Sequence, residues 1–227
     1  MTTTICESCG NEEATLCLSC VEESPLPVSE LSSSPPSLPV PELLEVAQNG
    51  VRALLALMGE DPGRPGLIDT PARVVRAYLE IAGRPGDPGA DLAIVFPDVK
   101  HPGSPVIVGP IPFVSLCEHH LLPFTGSAWV SYVPNADRVV GLSKLPRTVA
   151  HYAGRPQVQE RLTGQIADAL SEHLDPLGVG VLIRGEHTCM SLRGSRTPGA
   201  LMETSDLRGT LSTDPFRSLF LDAARHA

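Results

Sequence analysis

A cysteine and a histidine stand three residues apart inside an otherwise apolar run, SLCEHHLLPF, at residues 115–124. In a turn or short helical bend, Cys117 and His120 project to the same side, as two ligands of one metal ion must. Downstream, GEHTCMSLRG places His187 and Cys189 two residues apart in a stretch that is typical of a strand, so that their side chains share one face. We therefore consider Cys117, His120 and Cys189 as a Cys-His-Cys zinc site with its fourth position open to water.

The same residues also have an ordinary structural explanation. Free cysteines are commonly buried as small hydrophobic side chains, and histidines can cap a turn or be satisfied in the core. A single Cys-x-x-His pair is a weak signal, and nothing local brings Cys189 near Cys117. Both interpretations stay open on spacing alone.

Two groups of basic residues are candidates for binding an anion. In GLSKLPR, Ser143 suits the N-cap of a helix. Lys144 and Arg147 fall on the first turns of that helix, where free N–H groups and the helix dipole favour negative charge. RGSR adds Arg193 and Arg196 shortly after the second Cys-His pair. The alternative is a solvated helix start and an ordinary surface turn.

Glu160, in QVQERL, is a candidate for recognising a purine. Its carboxylate can accept two hydrogen bonds side by side, which matches the paired N–H donors on guanine N1 and the exocyclic amine. A helical glutamate followed by Arg161 is more commonly a solvated surface residue, so this hypothesis needs support from elsewhere in the chain.

Length and composition are those of a soluble protein with one main domain, at 227 residues and 42% hydrophobic content. No apolar run reaches the roughly 18 residues that a membrane span requires. The start, MTTTICESCG, lacks the basic region and apolar core of a secretory signal. We expect a cytoplasmic protein without a membrane partner.

The net charge of −9 is concentrated near the N-terminus. Residues 1–51 contain eight acidic side chains and no Lys or Arg, whereas residues 52–227 hold 17 basic and 18 acidic groups. A surface that binds nucleic acid broadly needs a clear basic excess, which this nearly neutral body does not have. We therefore expect no nucleic-acid partner.

The N-terminal 23 residues are rich in cysteine. CESCGNEEATLCLSC contains two Cys-x-x-Cys pairs, and reducing conditions favour metal binding over disulfides. Four such thiolates suit a tetrahedral structural zinc: Cys6, Cys9, Cys17 and Cys20. We expect a small zinc knuckle in residues 1–23, which is also a candidate surface for a protein partner, and the alternative is a disordered tail with redox-sensitive thiols. The Pro- and Ser-rich residues 24–41 predict a linker, which leaves 42–227 as the globular domain.

Hydrophobic periodicity predicts the elements that must position these side chains. Two leading helices are expected in PELLEVAQNGVRALLALMGE and DTPARVVRAYLEIAG. PVIVGPIPFV indicates a strand interrupted at a proline, and GSAWVSYVP with RVVGL indicates a hairpin. Two helices, SKLPRTVAHYA and QVQERLTGQIADALSEHL, precede further strands and a short helix from Asp214. This succession predicts an α+β fold.

Five of these strings together resemble the GTP cyclohydrolase I family. They are DTPARV, IPFVSLCEHHLLPFTG, GLSKLPRTVAHYAGRPQVQERLTGQIADAL, GEHTCMSLRG and TSDLRG, in the family's order, and they cover roughly residues 42–222. The resemblance implies the tunnelling fold (T-fold), with antiparallel sheet, outer helices and N-terminal helices. It also implies a homodecamer with active sites between subunits, and makes residues 42–227 the catalytic domain.

The resemblance further implies a role for each candidate residue. Zinc would be held by Cys117, His120 and Cys189, with His119 and His187 as acid–base groups. GTP, as substrate, would contact Glu160 and Gln159 at the guanine, and Ser143, Lys144, Arg147 and Arg193 at the triphosphate, with Arg73 reaching a neighbouring site. The implied reaction converts GTP and water to 7,8-dihydroneopterin triphosphate and formate, the first step of pterin, folate or deazapurine biosynthesis. Glu118 has no role in this scheme.

Three other functions are compatible with parts of the pattern. One alternative is a relative of the same fold that keeps GTP as substrate but stops at a cyclic phosphate, or uses ferrous iron. A T-fold nitrile reductase would use a Cys nucleophile and NADPH, but it lacks the CEHH and HTC pairings present here. A non-catalytic scaffold would keep only the N-terminal zinc-binding role.

Overall fold

A computed structural model describes residues 39–83, 86–96, 99, 103–135 and 138–225. The predicted zinc knuckle, with Cys6, Cys9, Cys17 and Cys20, and most of the predicted linker lie outside the described residues. The chain divides into two compact units, residues 1–77 and 78–227.

The first unit contains the two leading helices that the sequence predicts. Helix α1 spans Val40–Leu57, and helix α2 spans Thr70–Ile81, whose last four residues belong to the second unit. Pro71 occupies the first turn of α2, where its missing N–H group costs no helical hydrogen bond. None of the 18 residues of α1 is buried, and several of its apolar side chains, among them Leu54 and Leu57, are exposed in the single chain.

The second unit is built on a five-stranded sheet in the order β5-β2-β3-β6-β7. Its elements in chain order are α3 (Pro88–Leu92), β1 (Val95–Phe96), β2 (Val106–Cys117), β3 (Pro123–Val133), β4 (Val139–Val140), α4 (Lys144–Ala153), β5 (Pro156–Gln157), α5 (Gln159–Leu174), β6 (Gly178–His187), α6 (Thr188–Ser191), β7 (Leu201–Gly209), a 3-10 turn (Thr210–Ser212) and α7 (Phe216–Arg225). The four long strands are antiparallel neighbours, and β5 pairs with β2 in parallel. The predicted α+β class is confirmed.

Both faces of the central strands are covered. Successive strand residues point to opposite faces, so Val130 of β3 joins the core beneath α4 and α5, while Trp129 joins a second cluster with Phe220 of α7. Burying one such aromatic or aliphatic side chain contributes about 1.5–3 kcal/mol to folding. The central strands β3 and β6 are thereby fixed from both sides, and it is their ends that carry the site described below.

The predicted interruption of the first long strand is confirmed. The register of β2 against β3 shifts between Val108 and Ile111, at Gly109 and Pro110. A Cβ atom at Gly109 would lie 2.2 Å from the Trp129 ring, so only glycine fits at this point.

Two local predictions are wrong. The segment RVVGL does not form a hairpin with β3, because β4 pairs with β1 through Val95 and Val140. The Val140 N–H donates instead to the Tyr132 hydroxyl at 2.9 Å, so a side chain of β3 takes the bond that a hairpin would give to its backbone. The strand predicted through Cys189 ends at His187, and Cys189 lies in helix α6.

No helix among the described residues has both the length and the apolar character needed to cross a membrane.

Candidate active site

A cavity of about 420 Å³ opens at one end of the sheet. The antiparallel order places the last residues of β2 and β6 on either side of the start of β3, and the parallel pair Cys117 and Gln157 brings the start of α5 to the same end. Eight of the predicted site residues line the cavity: Cys117, His119, His120, Gln159, Glu160, His187, Cys189 and Arg193. Segments that are more than 70 residues apart in sequence therefore meet at one place.

The turn after β2 is closed by hydrogen bonds to Cys117. The Cys117 N–H donates to Leu122 O at 2.8 Å, and Cys117 O accepts from Leu121 N at 2.7 Å. Leu121 has a left-handed backbone with φ of 53°, which reverses the chain into β3. The turn leaves the Cys117 side chain buried and the side chains of His119 and His120 exposed at the cavity.

The two thiols are spaced as two ligands of one zinc ion. The Sγ atoms of Cys117 and Cys189 lie 3.8 Å apart. Two sulfurs bound at about 2.3 Å to a tetrahedral zinc would be separated by about 3.8 Å. Burial and the adjacent Cys117 thiol raise the pKa of Cys189, and a bound cation would act in the opposite direction by stabilising the thiolate. The donor set fits zinc in chemistry and in spacing.

Two histidines stand near the thiols in different arrangements. His187 forms a group with Cys117 and Cys189 in which the potential ligand atoms all lie within 4.8 Å of one another. His120 lines the same cavity, but its Nε2 accepts from Arg193 Nη1 at 3.1 Å. The structure therefore brings all of the predicted ligands to one cavity, with His187, not His120, in the close group.

The His187 ring is held from two directions. It stacks on Phe124 with ring centroids 4.4 Å apart and planes within 6° of parallel. Its Nε2 atom lies 3.1 Å from Gln159 Oε1. Burial lowers the pKa of His187, an effect that the negative charge of Glu160 opposes in part. These contacts favour a neutral imidazole of fixed orientation.

Gln159 determines which nitrogen of that ring carries the proton. Its amide nitrogen donates to Ile183 O at 3.1 Å and to Met202 O at 3.0 Å, so its oxygen is the atom that faces His187. The neutral ring must then donate from Nε2, which leaves Nδ1 unprotonated. A Cβ atom at Gly185 would lie 2.7 Å from the Gln159 oxygen, so this side chain needs a glycine beside it. The predicted guanine contact Gln159 is thus fully buried and bonded within the protein.

Glu160 is exposed at the rim, next to the buried Gln159. It lines both this cavity and a neighbouring one of about 350 Å³, whose walls include Thr163 and Thr204. Glu160 is therefore in a position that solvent and a ligand can reach.

The predicted triphosphate ligands are separated in the single chain. Arg193 lines the cavity, whereas Lys144 and Arg147 are bonded to one oxygen of Asp91, at 2.6 Å and 3.3 Å. The hydrogen bond from Lys144 lowers the pKa of Asp91. Ser143 is exposed at the N-cap of α4, but its side chain makes no capping hydrogen bond. These α4 residues do not line the cavity of their own chain.

Arg73 lies in the first unit, on α2. Its Nη2 atom is 3.2 Å from Asp69 Oδ2 in an exposed i,i+4 ion pair.

One pair of residues near the site was missed by reasoning from the sequence. Glu118, which had no role, forms an ion pair with Arg161, which was considered only as the neighbour of Glu160. The available signal was that each residue adjoins a predicted site residue. Because the partners are 43 positions apart, only the fold brings them together.

Comparison with known proteins shows which family the chain resembles. A family model described as GTP cyclohydrolase I matches residues 47–224. The chain is 58% identical over 170 residues to GTP cyclohydrolase 1 of Mycolicibacterium vanbaalenii, a match covering 74% of this chain and 83% of the relative. It is 50% identical over 169 residues to that of Rhodopirellula baltica (74% and 72% covered), and 47% identical over 171 residues to that of a Geobacillus species (75% and 90% covered).

One solved structure, an archaeosine synthase QueF-Like in the apo form, matches 48% of this chain and 97% of its own. Its TM-score is 0.39 and its sequence identity is 18%. The family model covers well over half of the chain, and the curated relatives match it over about three quarters of its length. The chain therefore belongs to the GTP cyclohydrolase I family.

Proposed function

We propose that this protein is a zinc-dependent GTP cyclohydrolase I, which converts GTP and water to 7,8-dihydroneopterin triphosphate and formate. The observation that carries the proposal is the 3.8 Å separation of the Cys117 and Cys189 sulfurs in a cavity that is also lined by His187 and Glu160. The named relatives support the choice of reaction, since each is a GTP cyclohydrolase 1.

Cys117, Cys189 and His120 are the proposed zinc ligands. When bound, zinc lowers the pKa of a coordinated water and so supplies a nucleophile near neutral pH. His120 follows Cys117 in the same turn and reaches the cavity, where Arg193 is its present partner. His187 has its Nε2 committed to Gln159, and its lowered pKa suits a group that exchanges a proton during the reaction.

His119 is the second proposed proton carrier. Its Nδ1 atom lies 3.8 Å from Cys117 Sγ, and the side chain is exposed. An exposed imidazole beside the metal ligands can exchange protons with solvent while it remains within reach of the substrate.

The proposed guanine contact is Glu160. A carboxylate that accepts from N1–H and from the exocyclic amine of the base forms two charge-assisted hydrogen bonds. Gln159, which is buried, supports this contact by fixing the start of α5, where Glu160 lies.

The triphosphate is proposed to lie against Arg193 and against Ser143, Lys144 and Arg147, with Arg73 reaching a neighbouring site. Because the α4 residues do not line the cavity of their own chain, a second copy is proposed to supply them. Such a shared site requires an oligomer with repeated contacts between subunits, for which the family resemblance suggests a homodecamer.

We also propose that Cys6, Cys9, Cys17 and Cys20 hold a second, structural zinc. The support is their pairing as two Cys-x-x-Cys motifs in a short segment.

The function is tested by supplying GTP to the zinc-loaded protein. We expect formate and a pterin that becomes fluorescent on oxidation. His120→Ala should lose the catalytic zinc together with turnover. His187→Ala should keep that zinc and lose at least about 100-fold in kcat, because only proton transfer is impaired. His173→Ala, on α5 outside the cavity, is the matched control.

Formate release, metal analysis and product mass spectrometry provide the readouts. Absence of formate from the wild type would refute the function, and a cyclic phosphate or NADPH consumption would identify one of the alternatives. If His187→Ala lost the zinc and His120→Ala retained it, His187 would be the zinc ligand and His120 the proton carrier.

Guanine recognition is tested with Glu160→Gln and with inosine triphosphate, which lacks the exocyclic amine. The wild type should prefer GTP over inosine triphosphate, since the analogue leaves one carboxylate bond unmade. The variant should bind GTP about 10- to 100-fold more weakly and lose most of that preference. Glu172→Gln, an exposed glutamate on the same helix, should behave as wild type. An undiminished preference in Glu160→Gln would argue against the contact.

The shared site is tested by subunit mixing. Cys189→Ala and Arg147→Ala should each be inactive or nearly so as homo-oligomers. If one subunit supplies the thiolates and its neighbour supplies Arg147, random co-assembly should restore about a quarter of the sites. Activity after co-expression, measured against each variant alone, is the readout. No recovery in proven mixed oligomers would place both residues in one subunit's site.

The N-terminal zinc is tested by metal counting. The full chain should contain two zinc ions, and a chain lacking residues 1–40 should contain one and retain GTP turnover. An unchanged stoichiometry after the deletion would contradict the knuckle.

A further inference from the structure

The guanidinium of Arg161 joins two walls of the active-site cavity. Its Nη2 pairs with the Glu118 carboxylate, in the turn that carries Cys117. Its Nε donates to Gln157 Oε1 at 2.8 Å, and Nη2 also approaches Pro156 O at 3.4 Å. One side chain thus contacts both the cysteine turn and the segment that leads into α5.

Gln157 anchors this contact in the body of the second unit. The residue is fully buried, and its Nε2 donates to Tyr152 O at 2.9 Å and to Gln165 Oε1 at 2.8 Å. The guanidinium is therefore held on one side by a side chain that is itself fixed to α4 and α5. Glu118 is the partner through which the cysteine turn is attached to that fixed point.

Backbone contacts between the two walls are few. The parallel pairing of β2 and β5 covers only Leu116 with Pro156 and Cys117 with Gln157. Beyond that pairing, the Glu118 N–H donates to Gln157 O at 3.1 Å. The ion pair adds a side-chain connection where the sheet ends.

The substrate makes the separation of these walls important. Guanine is a rigid fused ring, with the C8 atom that is hydrolysed at one end and the N1 and amine donors at the other. A protein that holds the donors through Glu160 must keep its metal-binding turn at a fixed distance from the start of α5. Misplacement by about 1 Å can cost about 100-fold in rate.

We propose that Glu118 and Arg161 are a positioning pair, which fixes the metal-binding turn relative to the guanine-binding start of α5. The inference rests on the proposed function. Neither residue needs to touch the substrate, since both act through the residues beside them: Cys117 and His119 for Glu118, and Glu160 for Arg161.

The exposure of the two side chains distinguishes a positioning role from a role in the stability of the fold. The Arg161 and Glu118 side chains are 40% and 36% exposed, and ion pairs so exposed contribute little to folding. Removing the Glu118 carboxylate should therefore disturb the geometry of the site more than the fold.

The test compares Glu118→Gln, Arg161→Gln and the double variant in the full-length, zinc-loaded protein. The matched control is Asp222→Asn, which removes the carboxylate of another exposed ion pair, with Arg225. Each single variant should lose about tenfold in kcat, while its Kd for a non-hydrolysable GTP analogue stays within about twofold of the wild type. The double variant should be no slower than the slower single variant, because each single change already removes the same ion pair.

Two further measurements exclude a general structural effect. The melting temperature of Glu118→Gln should fall by no more than about 3 °C, and the zinc content of both single variants should be unchanged. Arg161→Gln also removes the donor to the buried Gln157 Oε1 and should melt lower, so Glu118→Gln is the variant that separates positioning from stability. Hydrogen exchange of the amides at residues 117–121 should quicken about tenfold in both single variants and not in Asp222→Asn. Arg161→Lys, which keeps the charge without the forked geometry, should recover part of kcat.

Wild-type kcat and wild-type exchange in both single variants would overturn the inference, as would a loss of kcat that simply follows lost zinc or lost stability. If the wild type itself releases no formate from GTP, the proposed function fails. The exchange measurement then still decides whether the pair fixes the turn.

Discussion

The site depends on how strand β3 is paired with its two neighbours. The first residues of β3 pair with Leu116 of β2 on one side and with His187 of β6 on the other. This one strand therefore brings the end of β2 and the end of β6 together. A shift of one residue in either register would turn every side chain of that strand to the opposite face of the sheet. The burial of Trp129 on one face and Val130 on the other makes such a shift costly. The spacing of the two thiols is thus a consequence of core packing along the whole strand.

Polar groups at this end of the sheet are bonded to protein wherever they are buried. Gln159 is the clearest case, because its amide satisfies two backbone carbonyls and still orients His187. An unpaired amide at that depth would cost about 1–3 kcal/mol. Glu160 and His119, by contrast, are exposed and have a proposed role toward substrate. In the neighbouring residues Gln159 and Glu160, burial therefore separates the residue that holds the site in shape from the residue that is available to a ligand.

Much of the local structure followed from the sequence, and the failures were tertiary. Helices α1, α4 and α5 could be predicted from the apolar periodicity within each segment. The turn at Cys117 could be predicted from the short polar insert in an apolar run. Cys189 was expected on a strand but lies on α6. Its thiol is nevertheless close to that of Cys117, as expected, because β6 ends at the same end of the sheet as β2. The pairing of β4 with β1 and the contact between Glu118 and Arg161 join residues more than 40 positions apart, and no local pattern encodes them.

The distribution of cations gives the structure a further constraint. A triphosphate is strongly anionic, yet Lys144 and Arg147 share the Asp91 carboxylate and do not line the cavity, and Arg193 is bonded to His120. Asp91 offsets part of the charge of α4 while holding its two cations at a common point, with Arg147 59% exposed and Lys144 13% exposed. Lys144 is thus already held in place by the Asp91 carboxylate, whereas Arg147 presents most of its side chain to solvent. The proposed site shared between two copies would use such a cation, because an exposed charge on an element that does not line its own cavity loses little hydration until a phosphate arrives.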